Sequence, residues 1–462
     1  MSSDAMRGFV FDGLQGNNEY IELIKLFLRP SEFSTDGAAG AEGAHRIDAT
    51  DAAAAGDKNA VKRFLYDRLA ALTGRSPAWG ILTGIRPVKL FGELAGEAGS
   101  DEDVARARRR FRDEYYVSEA KTELTARVHA LQRALTAPPE TGSVGIYIGI
   151  PFCPTRCEYC SFPSNQVPYA RVAGYLAALY REMDFVAEGL ARKGLFAESL
   201  YIGGGTPTAL NEADLDELLG RARRRFAGAK LAEFTVEAGR PDTITAEKLR
   251  VMRRHGADRV SINPQSMNDE TLARIGRDHT AEDVRRAFRL AREAGVPRVN
   301  ADLIAGLPGE DAADFERSLR AVLEFAPENV TIHALAVKRA ARFKERDAEY
   351  GYARAETAAE MLRLAAAALA EAAYAPYYLY RQKQTVGNLE NAGYARDGKL
   401  GLYNVRIMEE RQTIVALGAG ASSKLYVPSE NRLTRAFNAS NYEIYAERLD
   451  EMLERKRRLL FE

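Results

Sequence analysis

Cys153, Cys157 and Cys160 are the only cysteines of this 462-residue chain, and they occupy a single C-x3-C-x2-C run. Three thiolates so close in sequence can converge on one metal centre. Structural zinc normally takes four protein ligands in two separated pairs. The sequence has no second cysteine cluster, and His45, His129, His255, His279 and His333 all lie away from the run. An odd, clustered set leaves one coordination position for something other than cysteine, as an iron–sulfur cluster with an open iron requires; on the run alone, zinc or chance spacing stands beside that reading, and the surrounding sequence decides for the cluster. The open iron needs an external chelate, and the amino and carboxylate groups of S-adenosylmethionine (SAM) suit that role. A reduced cluster can then pass an electron into the sulfonium and generate a carbon radical.

Further candidates follow along the chain. Gly203-Gly-Gly-Thr-Pro-Thr208 closes an apolar run, and three glycines let the backbone approach a ligand closely with free carbonyl and N–H groups. Glu237 closes the next run, where a carboxylate can bind a hydroxyl or an ammonium group. Asn263-Pro-Gln265 and Arg277 follow a fourth run. Asp302 sits inside a fifth, Asn300-Ala-Asp-Leu-Ile304, where a charge is costly to bury unless it is paired.

Most of these positions lie near the end of a strand-like segment. From residue 144 the sequence alternates apolar runs (144–150, 199–203, 233–237, 259–263, 298–304, 330–335) with amphipathic stretches near 170–193, 212–226, 246–255, 281–295 and 313–325. Strand–helix alternation predicts right-handed crossovers and a parallel sheet. The units make an incomplete TIM-like (β/α)6 barrel, whose chemistry belongs at the C-terminal strand ends. Upstream, residues 1–28 read as strand, turn, helix, and the Ala/Gly/Asp-rich 36–57 as a flexible loop or insertion. A helix is expected over about 59–72 and helical spacing over 101–135, with a boundary at Pro138-Pro139 and Gly142. Downstream come an alanine-rich helix near 354–373, an aromatic and cationic segment at 374–384, a glycine turn at Gly418 and a charged amphipathic helix at 440–458. The expected division is an N-terminal α/β appendage (1–140), the barrel (141–340) and a C-terminal α+β region covering the substrate (341–462).

Lys plus Arg equals Asp plus Glu at 65 each, so no global basic field points to nucleic acid. No run approaches the roughly 18 apolar residues that a membrane span needs, and the opening residues lack the apolar stretch of a signal peptide. Clustered free thiols fit a reducing cytoplasm, and an exposed cluster implies low oxygen while it works.

The combination Tyr147-Ile-Gly-Ile-Pro-Phe-Cys-x3-Cys-x2-Cys160, Gly203-Gly-Gly-Thr-Pro-Thr208 and Ala301-Asp-Leu-Ile-Ala-Gly-Leu-Pro-Gly-Glu310 resembles the radical SAM enzymes of the oxygen-independent coproporphyrinogen III oxidase group. Three further segments resemble its coproporphyrinogen dehydrogenase branch: 79–87 (with the only Trp), 237–245, and 377–383 with 387–391. The resemblance implies a [4Fe-4S] cluster on Cys153, Cys157 and Cys160. It implies that Tyr147, Gly204 and Glu237 contact the cluster-bound SAM. It places Tyr159, Gly205, Thr206, Gln265, Arg277, Asp302 and Ala336 on a second SAM or on substrate, with Tyr147, Glu237 and Arg277 as the catalytic set. The implied reaction is oxidative decarboxylation of coproporphyrinogen III propionates to vinyls, served by a one-electron donor such as flavodoxin or ferredoxin. Arg277 is the first candidate to meet a propionate, and Arg381 and Lys383 the second. Two positions depart from the oxidase pattern: Gly149 stands where the oxidase has histidine, and Phe162 where it has a fourth cysteine. Related heme chaperones also carry Phe there. Two other functions therefore stand beside the oxidase: a heme carrier that retains the SAM cluster site, with His279, His333 or the tyrosines of 374–380 as axial ligands, and anaerobic radical modification or degradation of heme.

Overall fold

The computed structural model describes residues 8–14, 17–35, 44–54, 56–83, 86–96, 99–162, 164–336, 350–382 and 384–462. Near the N-terminus, β1 (Phe9–Asp12), β2 (Phe33–Ser34) and β3 (His45–Asp48) form a small parallel sheet in the order β2-β1-β3. Its own core joins Phe11, Leu23, Ile24, Leu65 and Leu69, carried by the sheet and by the helices Asn18–Ile24 and Lys58–Thr73. The expectation of an unstructured 36–57 is corrected for its described part. Residues His45–Asp48 pair in register with β1, and Thr50–Ala54 form a helical turn. Alanine-rich composition hid a strand whose buried side chain is Ile47 alone.

Six strands follow in sequence order as six parallel neighbours: β4 (Ser143–Ile150), β5 (Phe196–Gly204), β6 (Glu233–Glu237), β7 (Arg259–Ser261), β8 (Arg298–Ala305) and β9 (Asn329–Ala334). Helices at Val172–Arg192, Glu212–Phe226, Ala246–Arg254, Ala281–Glu293 and Ala312–Glu324 form the crossovers. Local chemistry starts them: Asn211, Thr245, Thr280 and Asp311 each accept a backbone N–H of the first helical turn, satisfying a donor that helix geometry leaves orphaned. Aliphatic side chains such as Ile146, Ile148, Leu200, Ile202 and Val236 are sealed in the core. Alternation along each strand then leaves the polar and aromatic residues for the opposite, interior face. This is the partial barrel that the alternating pattern predicts.

The C-terminal region extends both edges of that sheet to eleven strands. On one side, β11 (Glu390–Ala395) runs antiparallel to β9, and β10 (Ala375–Arg381) lies outside it. On the other, β12 (Thr413–Leu417) runs parallel to β4, followed by β13 (Ser422–Val427) and β14 (Arg432–Phe437). The expected 440–458 helix is two helices, Tyr442–Glu447 and Leu449–Lys456. Lys456 is not solvated: it pairs with Glu182 at 2.8 Å, and both side chains are buried. No helix among the described residues is long and apolar enough to cross a membrane.

Candidate active site

The parallel register brings the C-terminal ends of β4, β5 and β6 side by side, with Gly149 opposite Gly203 and Ile150 opposite Gly204. The cysteine loop leaves β4 at this end. A bridge between Phe152 and Asn165 pins its stem, with the Cys153 N–H donating to Asn165 O at 3.2 Å and the Asn165 N–H to Pro151 O at 2.9 Å. Farther along, the Cys160 N–H donates to Cys157 O at 3.1 Å, and the Glu158 N–H to Ile275 O at 3.0 Å. Cys157 is buried, whereas Cys153 and Cys160 are half-buried.

The glycine loop is built against this stem. Gly205 and Thr206 donate backbone N–H groups to Ile150 O and Phe152 O, both at 2.8 Å. The Thr206 hydroxyl lies 3.3 Å from Cys153 Sγ. A Cβ on Gly205 would meet Phe152 O at 2.7 Å and Cys153 Sγ at 3.0 Å, so no larger residue fits between the two loops. Gly204 holds φ at +108°, a backbone state open to glycine.

Glu237 faces the same space from the end of β6. Tyr201 donates its hydroxyl to Oε1 at 2.5 Å, and the Gly204 N–H donates to Oε2 at 3.1 Å. Burial pushes this carboxyl up to about 7, and Asp302 adds to the rise. Tyr147, Tyr201 and Tyr403 stack beneath it, with centroids 4.5 Å apart for Tyr201 and Tyr403 and 6.1 Å for Tyr147 and Tyr201. Tyr403 comes from the helix Leu402–Glu409, whose start is fixed by Glu233 accepting the Leu402 N–H at 2.6 Å. This helix floors the barrel interior.

Around the interior wall runs a polar chain. Asn263 accepts from Ser261, Ser261 from Asn300, and Asn300 donates to Asp302, each at 2.7 Å. Asp302 pairs with His333 Nε2 at 3.4 Å, and His333 Nδ1 lies 3.4 Å from the Tyr380 hydroxyl. Asp302 is thus paired, as a charge inside an apolar strand must be. Gln265 follows β7 in the left-handed region, at φ 68°. Its N–H donates to Asp302 O, while its buried Oε1 has no partner among the described residues. Ala336 lies past the end of β9, bridged to Thr385.

Arg277 is buried and donates to Gly239 O at 3.0 Å and Asn263 O at 2.8 Å. Tyr159 and Cys157 also bond its guanidinium and hold its charge in place against burial. It therefore faces the cysteine loop. Arg240 joins it there: its Nη1 lies 3.7 Å from Cys157 Sγ, while Asp242 grips its other edge with two contacts of 3.1 Å. Sequence reasoning missed Arg240, although it lies inside the segment 237–245 that carried the resemblance. It also missed Tyr201 and Tyr403; the first shares strand parity with Gly203, and the second left no local signal.

Of the second-choice cations for a propionate, Arg381 is corrected. Arg381 is buried, donates to Leu82 O at 2.5 Å and Asn388 O at 2.8 Å, and lies over the Trp79 ring at 5.0 Å. Glu390, which takes the Trp79 indole N–H at 2.8 Å and pairs with Lys121, completes that cluster. Arg381 thus ties Trp79 and Leu82 to β10 and β11 and is spent there. Lys383 lies outside the described residues.

The residues present fit an iron–sulfur cluster with SAM. The glycine cradle at Cys153, the orphaned Gln265 Oε1 and the Glu237 carboxylate supply the donors and acceptors that an amino-acid and ribose ligand calls for.

Comparison with known proteins agrees with this geometry. Residues 147–322 match the model of the radical SAM superfamily. The oxygen-independent coproporphyrinogen-III oxidase-like protein HemZ of Bacillus subtilis is 40% identical over 406 residues, covering 86% of this chain and 80% of its own. The heme chaperone HemW of Bacillus subtilis is 37% identical over 193 residues, covering 42% of this chain and 50% of its own. The solved coproporphyrinogen III oxidase (HemN) from Escherichia coli, a radical SAM enzyme, superposes with a TM-score of 0.55 at 25% identity, over 70% of this chain and 73% of that one. Cysteine loop, glycine cradle and parallel barrel therefore belong to one known design: this chain is a member of the radical SAM superfamily and, within it, of the HemZ-like family related to oxygen-independent coproporphyrinogen III oxidase.

Proposed function

We propose that the chain is an anaerobic radical SAM oxidoreductase that converts coproporphyrinogen III propionates to vinyls, giving protoporphyrinogen IX in a reducing cytoplasm. In each event one C–H bond loses its hydrogen atom, the carboxylate leaves as carbon dioxide, and the remaining electron passes to a one-electron acceptor. Cys153, Cys157 and Cys160 would hold the cluster, fed by a small electron carrier such as flavodoxin or ferredoxin. With SAM bound, the cluster supplies hydrogen-atom abstraction. This chain's own residues do the rest. Glu237, oriented by Tyr201 and the Gly204 N–H, receives a hydroxyl or ammonium of SAM. Gln265, Asp302 and His333 line the wall that a substrate or second SAM would face. The helix under Tyr403 excludes water from below, and residues 341–462 cover the substrate.

One observation supports the choice of a metal-free porphyrinogen over heme: the side chains that could ligate heme iron are either bonded to neighbours or, as with His279, sealed in the interior. His279 is buried with Nε2 3.3 Å from Pro264 O, and burial pushes it down to about 3. His333 is held between Asp302 and Tyr380. The hydroxyls of Tyr374, Tyr377 and Tyr378 are bonded to Pro327 O, Asn404 and Thr331. The carrier reading draws on Phe162, an exposed aromatic beside the cluster loop, and on the likeness to heme chaperones. Anaerobic incubation of reconstituted protein with SAM, dithionite and coproporphyrinogen III, followed by chromatography of tetrapyrroles, separates the two. Vinyl-bearing product is expected. No conversion, together with tight heme binding, would transfer the assignment to the carrier.

A further inference from the structure

The described residues hold a second cavity, of about 500 Å³, far from the cysteines. Its walls include Lys89, Arg133, Thr136, Arg406 and Arg411. Pro138 and Pro139, just before β4, also line it, as does Arg411, just before β12, so the cavity sits at the N-terminal ends of these strands. The cysteine loop leaves the opposite end of β4, roughly 25 Å away at about 3.3 Å per residue.

A cationic group adjoins the wall through Lys89. Glu410 is contacted by Arg86, by Lys89 and Lys424 at 3.6 Å each, and by Arg435 at 3.4 Å. Lys89 belongs both to this group and to the cavity lining. Glu93 also faces Lys89, while Glu409 faces Arg411 and lies 3.7 Å from Arg406, which Glu198 already holds. Like charges packed this closely repel unless an anion lies among them. Burial and then Arg86 push the Lys424 ammonium, which stands beside the group and outside the cavity lining, down to about 7. A second, independent sign is Thr136: its buried hydroxyl lines the cavity without a hydrogen-bond partner among the described residues.

We propose that this cavity is a binding site for a small multivalent anion bearing phosphate or carboxylate groups, held by Lys89, Arg411 and the Thr136 hydroxyl. Its volume suits such a ligand. The site has a direct structural neighbour in the active site. Arg406, Met408 and Glu409 line the cavity from the same helix that carries Tyr403 into the tyrosine stack. A bound anion would clamp that helix and the 87–95 helix together.

The test uses the full-length reconstituted protein, titrated with pyrophosphate in one arm and citrate in the other. Calorimetry and thermal melts are read against sodium chloride of matched ionic strength. Saturable binding and a melting temperature rising with ligand beyond the salt control are expected from at least one probe, and the probe that saturates names the source of the charge. Arg411→Ala and Lys89→Gln should each weaken that binding about tenfold, the loss of one charge-assisted hydrogen bond. Arg411 is exposed, so its variant folds even if Lys89→Gln does not. Absence of saturation by either probe up to about 10 mM, a shift equalled by sodium chloride, or unchanged affinity in Arg411→Ala would overturn the proposal.

Discussion

Glu237 sits where function and stability pull in opposite directions, which makes its pH dependence a direct test of the site. Its ordinary value is 4.5, and burial in the barrel mouth raises it to about 7. The folded chain thus holds this proton more tightly than the unfolded chain does. Its contribution to stability is greatest at low pH, is lost as pH rises through the window from 4.5 to 7, and stays lost above it. Because the mouth is partly open to water, the loss is on the order of 2 kcal/mol rather than the full conversion of the shift. Glu237→Gln keeps the shape and an acceptor oxygen but has no proton to release. Urea unfolding of wild type and variant, without SAM, should give the intrinsic effect of the swap at pH 5. At pH 8 the variant should gain about 2 kcal/mol relative to that difference. SAM affinity should fall in the same variant while bound iron is unchanged, since the carboxylate is not a cluster ligand. A stability difference that does not move with pH, or that moves against the variant at pH 8, would refute the desolvated site. Iron lost together with SAM affinity would misplace the residue.

Other outcomes follow from the same geometry. Cys157→Ala should abolish both cluster assembly and SAM cleavage, read as iron content and 5′-deoxyadenosine; protein prepared without oxygen that carried zinc and no iron would defeat the cluster assignment. Arg240→Met should leave iron content intact but move the cluster midpoint potential to more negative values in an EPR-monitored redox titration, because a guanidinium beside a cluster thiolate favours the more reduced state; an unchanged potential would make Arg240 purely structural. Gly205→Ala drives a methyl into Phe152 O and Cys153 Sγ and should lower iron retention with little change in overall secondary structure by circular dichroism. Lys456→Met strands the Glu182 carboxylate in the core and should cost about 3–5 kcal/mol in chemical denaturation; a loss below about 1 kcal/mol would show that Asn438, Tyr445 and the Gly418 N–H satisfy Glu182 without it.

The amino-acid sequence by itself made the candidate cluster ligands and the frame that carries them legible. Cys153, Cys157 and Cys160 are local in the chain, so their spacing names one metal centre, and the motifs around them, not the spacing alone, point to an iron–sulfur cluster. A parallel barrel gathers its C-terminal strand ends whatever the loops do, so Gly204, Glu237, Gln265 and Asp302 could be assigned to one mouth from alternation and order. Contacts between distant segments had no such signal. Only tertiary structure seated Tyr403 beneath Glu237, turned Arg277 and Arg240 toward Cys157, and buried Lys456 against Glu182. Trp79 and Glu390 meet across 311 residues of sequence, and their pairing consumed Arg381, a cation that composition alone had offered to the substrate. The physical reason is one of range. Ligand spacing and hydrophobic period are properties of a short window, whereas the pairing of a buried charge depends on which faces the whole chain presses together.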